Sequence, residues 1–243
     1  MKIVAKTDIG LVRESNQDSY AAGELPSAVA WAVVCDGMGG AAGGNVASST
    51  AVKIISEQIT ASYRVGMSSK SIKNMLVSAV NAANISVFDI SCSNPELSGM
   101  GTTVVCAIVT DSVAYVAHAG DSRAYMLSSD GTLIQLTRDH SMVQDMVENG
   151  KITETQAKTH PRKNIITRAV GVDREIKVDF LEQDMKDGDS LLLCTDGLTN
   201  AVDNEEICEL TKDNKYYEFA DRLVQRANKN GGSDNVTVVA VTY

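Results

Sequence analysis

Short valine-rich runs separated by tight turns restrict the folds open to this chain of 243 residues more than any other feature. The runs that read as strands are 28–35, 102–110, 112–119, 123–128, 191–195 and 235–243. The segments 110–112 and 128–131 have the length and composition of hairpin turns. Strands joined by such turns pair antiparallel, so the centre of the fold should be antiparallel sheet.

Helical periodicity lies on both sides of these runs. Apolar residues recur at helical spacing in 45–61 and 71–88, and two later helices are predicted at 204–211 and 215–229. Neither an all-β pattern nor strict alternation of strand and helix fits. We therefore predict an α+β fold in which antiparallel sheets stack face to face with helices outside them. No repeat or linker divides the chain, and we expect a single domain over residues 1–243.

Composition narrows the classes of function. The net charge is −9, whereas a nucleic-acid-binding surface should be basic, so nucleic acid is not expected as a partner. The acid excess serves either solubility or the binding of cations. Cys35, Cys106 and Cys194 lie in apolar runs and read as buried thiols of a reducing compartment. No signal region opens the chain and no run has the length of a membrane span, so we expect a cytoplasmic protein without a membrane partner.

Carboxylates stand beside the apolar runs. The aspartates concerned are Asp18, Asp36, Asp121, Asp196 and Asp234. A single aspartate of this kind is usually a turn residue. Strand ends of one packed core can converge, however, and converging anions must be protonated, paired or bound to metal.

Divalent metal is the best neutraliser of such a cluster. Arg13 and Arg123 are too few for five acids, and oxygen ligands without thiolates or spaced histidines select Mg²⁺ or Mn²⁺. Few protein ligands and several waters suit a two-metal hydrolytic site with a bridging water as nucleophile. The fork of Arg13 matches a phosphate, and Gly37 permits close backbone approach. Hydrolysis of phosphate esters is the leading chemistry.

The motifs also resemble a known family. "TDIGLVRESNQDSY", "VVCDGMGG", "SGMGTTVVCAIV", "VAHAGDSRAY", "LTRDHS", "ITRAVG", "LLLCTDGLTN" and "GGSDNVTVVAV" follow one another as they do in metal-dependent protein phosphatases of the PPM, or PP2C-type, family in its compact bacterial form. The resemblance runs from about residue 5 to the C-terminus. We therefore expect no accessory domain.

The resemblance implies an αββα sandwich, a centre of two tightly bound Mn²⁺ or Mg²⁺ ions and hydrolysis of phosphoserine and phosphothreonine in proteins. Asp36 would bridge the two metals and the carbonyl of Gly37 would bind the first, with Asp196 and Asp234 on the second. Asp18 would hold metal-bound water, and Arg13 would bind the substrate phosphate. Asp121 would share a third, weaker metal with Asp196.

Further expectations concern surroundings and partners. The polar segment 140–164 falls where the family has a flap near the active site, and we call it the flap segment. Met38 occupies the position at which many animal members have a histidine, so a metal-bound water is the expected general acid. Substrates would be phosphoproteins made by a Ser/Thr kinase, and we expect a monomer. The alternatives are a weakly active or non-catalytic regulator of the same fold that binds phosphoproteins, and a hydrolase of small phosphate esters.

The remaining polar residues have structural interpretations. We expect His118 to be a core residue with its hydrogen bonds satisfied. His140 is either a cap or a partner of a site residue. Asn235 should orient backbone, while Ser122 and Arg123 should support the loop that carries Asp121.

Overall fold

Two antiparallel sheets form the centre of the computed structural model, which describes residues 1–212 and 215–243. The strands are β1 Lys2–Asp8, β2 Asp18–Leu25, β3 Val29–Met38, β4 Gly101–Thr102, β5 Val104–Val109, β6 Val113–Ala119, β7 Arg123–Leu127, β8 Leu133–Gln135, β9 Asp179–Asp184, β10 Ser190–Cys194 and β11 Val236–Thr242. The helices are α1 Gly40–Ser62, α2 Ser69–Ser93, α3 Met142–Glu148, α4 Glu154–Lys158, α5 Asp196–Thr199, α6 Asn204–Thr211 and α7 Phe219–Lys229.

The strand order mixes distant parts of the chain. One sheet has the order β1-β11-β10-β7-β8, and the other has the order β2-β3-β5-β6-β9, with β4 paired to β3. The turn 110–112 joins β5 to β6 and the turn 128–131 joins β7 to β8, and both hairpins pair as predicted. The chain crosses between the sheets after β6, at residues 120–122.

Three apolar clusters build four layers. Alanine and valine from β3 and β5 meet Leu191, Leu193 and Val239 between the sheets. The other face of the second sheet packs on α1 and α2, and that of the first sheet packs on α6 and α7. The predicted α+β sandwich, with two stacked antiparallel sheets flanked by helices, is confirmed.

Some element boundaries depart from the prediction. Strand β3 does not end before Asp36 but continues to Met38, because Gly37 and Met38 pair with Thr102 and Gly101 of β4. The predicted run 102–110 is accordingly divided into β4 and β5. Strands β1, β2, β8 and β9 were not among the predicted runs. They are half-polar, and both edges of each sheet are among them.

Helix α2 combines length with apolar composition. It has 25 residues, and by those two criteria alone it could cross a membrane, contrary to the expectation from the sequence runs. Its buried residues, including Ile72, Leu76 and Val80, pack into the core beside the second sheet. Ser68 accepts a hydrogen bond from the backbone of Ser71 and caps its first turn. This packing is that of a core helix.

Candidate functional site

The five aspartates come from both sheets. Asp18 of β2 lies directly opposite Asp36 of β3 in the strand register. Asp196 opens α5 immediately after β10, and Asp234 lies just before β11. Asp121 occupies the turn at which the chain crosses from β6 to β7. The charges of the other four all act on Asp36, so the five carboxyl groups lie near one another.

Asp18 is the buried member of the cluster. Its Oδ2 accepts hydrogen bonds from Thr195 Oγ1 at 2.9 Å and from Thr237 Oγ1 at 2.7 Å. Its Oδ1 is also buried but has no hydrogen-bond partner within residues 1–212 and 215–243. Burial raises the pKa of Asp18 to about 7, although the two threonine hydroxyls oppose the rise. One face of this carboxylate is therefore fixed, and the other awaits a partner.

Asp36 and Asp196 form the centre of the cluster. Both residues are half-buried. Burial and then the charges of Asp18 and Asp196 raise the pKa of Asp36 well above its ordinary value, and Asp121 and Asp234 add to the rise. Burial and the charge of Asp234 likewise raise the pKa of Asp196. Burial and the neighbouring negative charges thus both disfavour full ionisation of these carboxyl groups.

The backbone around Asp36 is fixed by neighbouring threonines. Its carbonyl accepts from Thr102 Oγ1 and from the Thr103 amide, both at 2.8 Å. Its amide donates to Thr103 Oγ1 at 2.9 Å. Thr103 Oγ1 also lies 2.7 Å from Ser122 Oγ, which ties Asp36 to the loop of Asp121. These threonines therefore position the site as well as building strand.

Asp121 approaches the same centre from the crossover. Burial, followed by the charges of Asp196 and Asp139, raises its pKa to about 7. Arg123 does not pair with it. The Nε and Nη2 atoms of Arg123 donate to the two carboxylate oxygens of Asp139, at 2.8 and 2.7 Å. Arg123 therefore supports the loop that carries Asp121, as predicted from the sequence.

Arg13 lies at the exposed edge of the cluster. Its Nη2 donates to Asp234 Oδ2 at 2.7 Å, and this hydrogen bond is the main reason that the pKa of Arg13 is raised. Its side chain remains 53% exposed. Asn235 Nδ2 donates to the carbonyls of Ile9 and Ser15, so it orients backbone as predicted. The loop of Arg13 and the loop of Asp234 are thereby held together.

The position after Asp36, Gly37, has no room for a side chain. A Cβ added there would lie 2.1 Å from the Gly44 carbonyl oxygen and 2.7 Å from the Gln17 carbonyl oxygen. No side chain can be accommodated at that distance, so the close approach of β3 to α1 requires glycine.

This donor set fits hard divalent cations. The groups are carboxylate and carbonyl oxygens, which Mg²⁺ and Mn²⁺ prefer. Burial and the neighbouring carboxylates raise the pKa of Asp36, and Asp18 Oδ1 is a buried acceptor that no donor of the described residues satisfies. Bound cations would supply positive charge, and their water molecules would supply a donor. We regard the five aspartates and Gly37 as the candidate metal centre.

A second cluster lies beside it, and sequence reasoning missed most of it. The rings of His118 and His140 stack at 4.7 Å, and ligand atoms of these two residues and Asp179 lie within 4.8 Å of one another. Such a triad could hold a metal. Arg168 already supplies a cation there, because its Nη1 donates to Asp179 Oδ1 at 2.9 Å and lies 3.0 Å from His140 Nε2. We therefore assign this cluster a supporting role.

His140 supports the loop of Asp121. Its amide donates to the Gly120 carbonyl at 2.9 Å, and its Nδ1 accepts from the Gly120 amide at 3.1 Å. Of the two roles predicted for His140, the structure shows the second, because His140 contacts the loop that carries Asp121. His118 is buried as expected, but its Nδ1 has no hydrogen-bond partner in the part of the chain that the structure describes, so the prediction of a satisfied residue is wrong. No local sequence pattern predicts the roles of Asp179 and Arg168, because their ion pair joins separate segments of the chain.

Comparison with known proteins is consistent with this architecture. A family model described as protein phosphatase 2C matches residues 12–238. The serine/threonine phosphatase Stp of Listeria innocua is 38% identical over 237 residues, which make up 97% of this chain and 93% of that protein. The crystal structure of Stp1 from Staphylococcus aureus has a TM-score of 0.92 and 33% identity, covering 100% of this chain and 94% of that one. The catalytic domain of PstP, solved with two manganese ions, has a TM-score of 0.85 and 34% identity, covering 98% and 96%.

The αββα sandwich with a carboxylate cluster defines a class of metal-dependent phosphatases. The family model matches nearly the whole chain, and this extent decides to which family of that class the chain belongs. The chain belongs to the protein phosphatase 2C family, and its relatives place it with the bacterial PPM-type members.

Proposed function

We propose that this protein is a serine/threonine protein phosphatase that hydrolyses phosphoserine and phosphothreonine in other proteins. The observation that carries the proposal is the convergence of five aspartates beside Arg13 in a chain of this family. Relatives from Listeria and Mycobacterium are named serine/threonine phosphatases, which favours catalysis over the alternative of a phosphoprotein-binding regulator. Asp36, Asp196 and Asp234, whose loss would favour the regulator, are all present.

The metal centre would use the residues described above. Asp36 would bridge two cations, the Gly37 carbonyl would bind one of them, and Asp196 and Asp234 would bind the other. When bound, Mn²⁺ or Mg²⁺ supplies an activated water and neutralises charge on the phosphoryl oxygens. The structure of PstP with two manganese ions supports two ions in this family.

Asp18 would act through a water molecule. Its Oδ2 is fixed by Thr195 and Thr237, so the free Oδ1 has a defined direction. An acceptor fixed in this way can hold and orient a water in the centre. Burial raises the pKa of Asp18 to about 7, and nearby positive charge would favour its ionised form, which supports this role.

Arg13 would bind and orient the phosphate. One nitrogen of its guanidinium pairs with Asp234, and the exposed remainder can donate to phosphate oxygens. Holding the phosphate beside Asp234 would place the phosphorus close to the metal centre. Met38, the last residue of β3, has no proton to donate, so the leaving oxygen must be protonated by another group, for which we propose a water of the centre.

Asp121 would share a third, weaker cation with Asp196. Its raised pKa, caused by burial and then by the charge of Asp196, supports the need for positive charge between these two residues.

The flap segment would lie beside this part of the site. Lys163 Nζ contacts Asn200 Oδ1 at 3.3 Å, and Asn200 donates to Asp196 Oδ2 at 2.9 Å. The segment contains helices α3 and α4 and is closed at its base by the hydrogen bond from the Met142 amide to the Ile165 carbonyl.

The remaining proposals concern the protein as a whole. Residues 1–243 would form one catalytic domain that acts as a cytoplasmic monomer, on proteins phosphorylated by a Ser/Thr kinase. The shared core clusters, which draw on both ends of the chain, support a single domain.

Release of inorganic phosphate from phosphoserine and phosphothreonine peptides tests the function. We expect hydrolysis in Mn²⁺ or Mg²⁺, none in EDTA, and recovery when metal is restored. Asp36→Asn should remove nearly all turnover because it removes a carboxylate charge from the centre of the site. Binding of the phosphopeptides without hydrolysis in the presence of metal would favour the regulator instead.

A further inference from the structure

Large apolar side chains are exposed immediately before Arg13. Leu11 is 70% exposed and Val12 is 68% exposed, and Ile9 beside them is 39% exposed. We call these three residues the apolar rim. Scattered apolar residues are common on protein surfaces, but several within four positions beside a phosphate-binding arginine form a local patch.

The backbone of the apolar rim is fixed against the site. The Leu11 amide donates to the Gly232 carbonyl at 2.7 Å, and the Ile9 carbonyl accepts from Asn235 Nδ2 at 2.9 Å. A Cβ added at Gly10 would lie 2.4 Å from the Asp234 carbonyl oxygen, so the loop presses directly on the segment that carries Asp234. Leu11 and Val12 are therefore exposed on an anchored loop.

A bound phosphoprotein would reach this patch. Arg13 pairs with Asp234 at the metal centre, and Leu11 lies two positions before it. Adjacent Cα atoms are about 3.8 Å apart, so residues within two or three positions of a phosphate held by Arg13 can contact Leu11 and Val12. Because the loop is already anchored, binding costs little free energy to order it. An apolar side chain of the substrate is the group that binds such an apolar surface most favourably.

We propose that Leu11 and Val12 dock an apolar side chain of the phosphoprotein substrate, close to its phosphorylated residue. The proposal rests on the proposed phosphatase function and adds a sequence preference to it. Contact between these side chains and a leucine or isoleucine of the substrate removes apolar area from water on both partners. The same surface offers nothing to a serine at that position.

Paired phosphopeptides test this preference. One set places leucine at each position within three residues of the phosphothreonine in turn, and the matched set has serine there. For each enzyme variant, kcat/KM is measured for every peptide and for an aryl phosphate, which has no flanking residues. Leu11→Ser and Val12→Ser are compared with Val65→Ser, which is 61% exposed but follows the far end of α1. That helix of 23 residues is about 35 Å long, so Val65 is remote from the site.

We expect the unaltered protein to prefer leucine over serine at one or more positions by about tenfold, the amount that partial burial of a leucine side chain can give. Leu11→Ser or Val12→Ser should reduce this leucine-to-serine ratio to near one, whereas Val65→Ser should leave it unchanged. Normalising to the aryl phosphate removes any general change in the metal centre.

Two results would overturn the proposal. One is equal use of both peptide sets by the unaltered protein. The other is a leucine preference that survives undiminished in both Leu11→Ser and Val12→Ser. Failure to hydrolyse any phosphopeptide while the aryl phosphate is cleaved would instead refute the proposed phosphoprotein function.

Discussion

Asp18→Asn should make the metal-free protein more stable at neutral pH, although it alters a residue of the site. Burial raises the pKa of Asp18 to about 7 in the folded protein, against an ordinary value near 3.8. A carboxyl whose folded pKa is raised stabilises the fold while it is protonated, and that stability is lost as pH rises through the folded pKa. Asparagine stays neutral, accepts from the threonine hydroxyls and therefore avoids this loss.

The size of the effect follows from the two pKa values. Between pH 5.5 and pH 7.5 the unfolded Asp18 is ionised throughout, while the folded carboxyl loses most of its proton. For each pH unit over which the folded carboxyl keeps its proton, the free energy of unfolding falls by about 1.4 kcal/mol. Averaged over this window of two pH units, the folded carboxyl is about two-thirds protonated. The free energy of unfolding therefore falls by roughly 2 kcal/mol. In a domain of this size that difference corresponds to roughly 4–8 °C in Tm.

Urea denaturation in EDTA at both pH values measures the effect. The free energy of unfolding of Asp18→Asn, relative to the unaltered protein, should rise by about 2 kcal/mol between pH 5.5 and pH 7.5. Asp184→Asn, on the exposed end of β9, is the matched control and should show no such rise. Saturating Mn²⁺ should diminish the advantage, because bound cations favour the ionised carboxyl. A relative stability that is flat or falls with pH would refute the reasoning.

Three further substitutions separate the roles within the site. Arg13→Ala should raise KM for a phosphopeptide by an amount consistent with ~1.5–3 kcal/mol without weakening Mn²⁺ binding in calorimetry, and weaker metal binding with an unchanged KM would make Arg13 structural. Asp121→Ala should lower turnover about tenfold or more while two tight ions remain, and near-normal turnover with unchanged anomalous metal peaks in Mn²⁺-soaked crystals would end the proposal of a third ion. Thr237→Val removes a hydrogen bond that lowers the pKa of Asp18, so Mn²⁺ binding should weaken more at pH 6.5 than at pH 8, and equal weakening at both would contradict this role.

The layers of the fold could be predicted because the interior strands are recognisable from their own apolar sequences. Strands β5, β6 and β10 are nearly or wholly buried and appear in the sequence as continuous valine- and leucine-rich runs. Strands β2 and β9 are edge strands with alternating or polar residues, and nothing local distinguishes them from loops. Their formation depends on pairing with β3 and β6, which lies outside the reach of local pattern.

The acids of the candidate site could be predicted from the sequence, but their hydrogen-bond partners could not. Asp-Gly pairs beside apolar runs mark Asp36 and Asp196 directly. The hydrogen bond from Thr237 to Asp18 spans 219 positions, and the pairing of Arg13 with Asp234 spans 221. Contacts of that kind are set by the stacking of the two sheets, so only the structure reveals which oxygen of Asp18 is fixed and which is free.

Calorimetric titration of Mn²⁺ into protein stripped with chelator tests the central claim most directly. We expect two tightly bound ions per chain in the unaltered protein, and loss of tight binding in Asp36→Asn, because both ions would share that carboxylate. Asp184→Asn should bind as the unaltered protein does. Absence of tight binding to the unaltered protein, or the same two ions bound by Asp36→Asn, would contradict a metal centre built on Asp36.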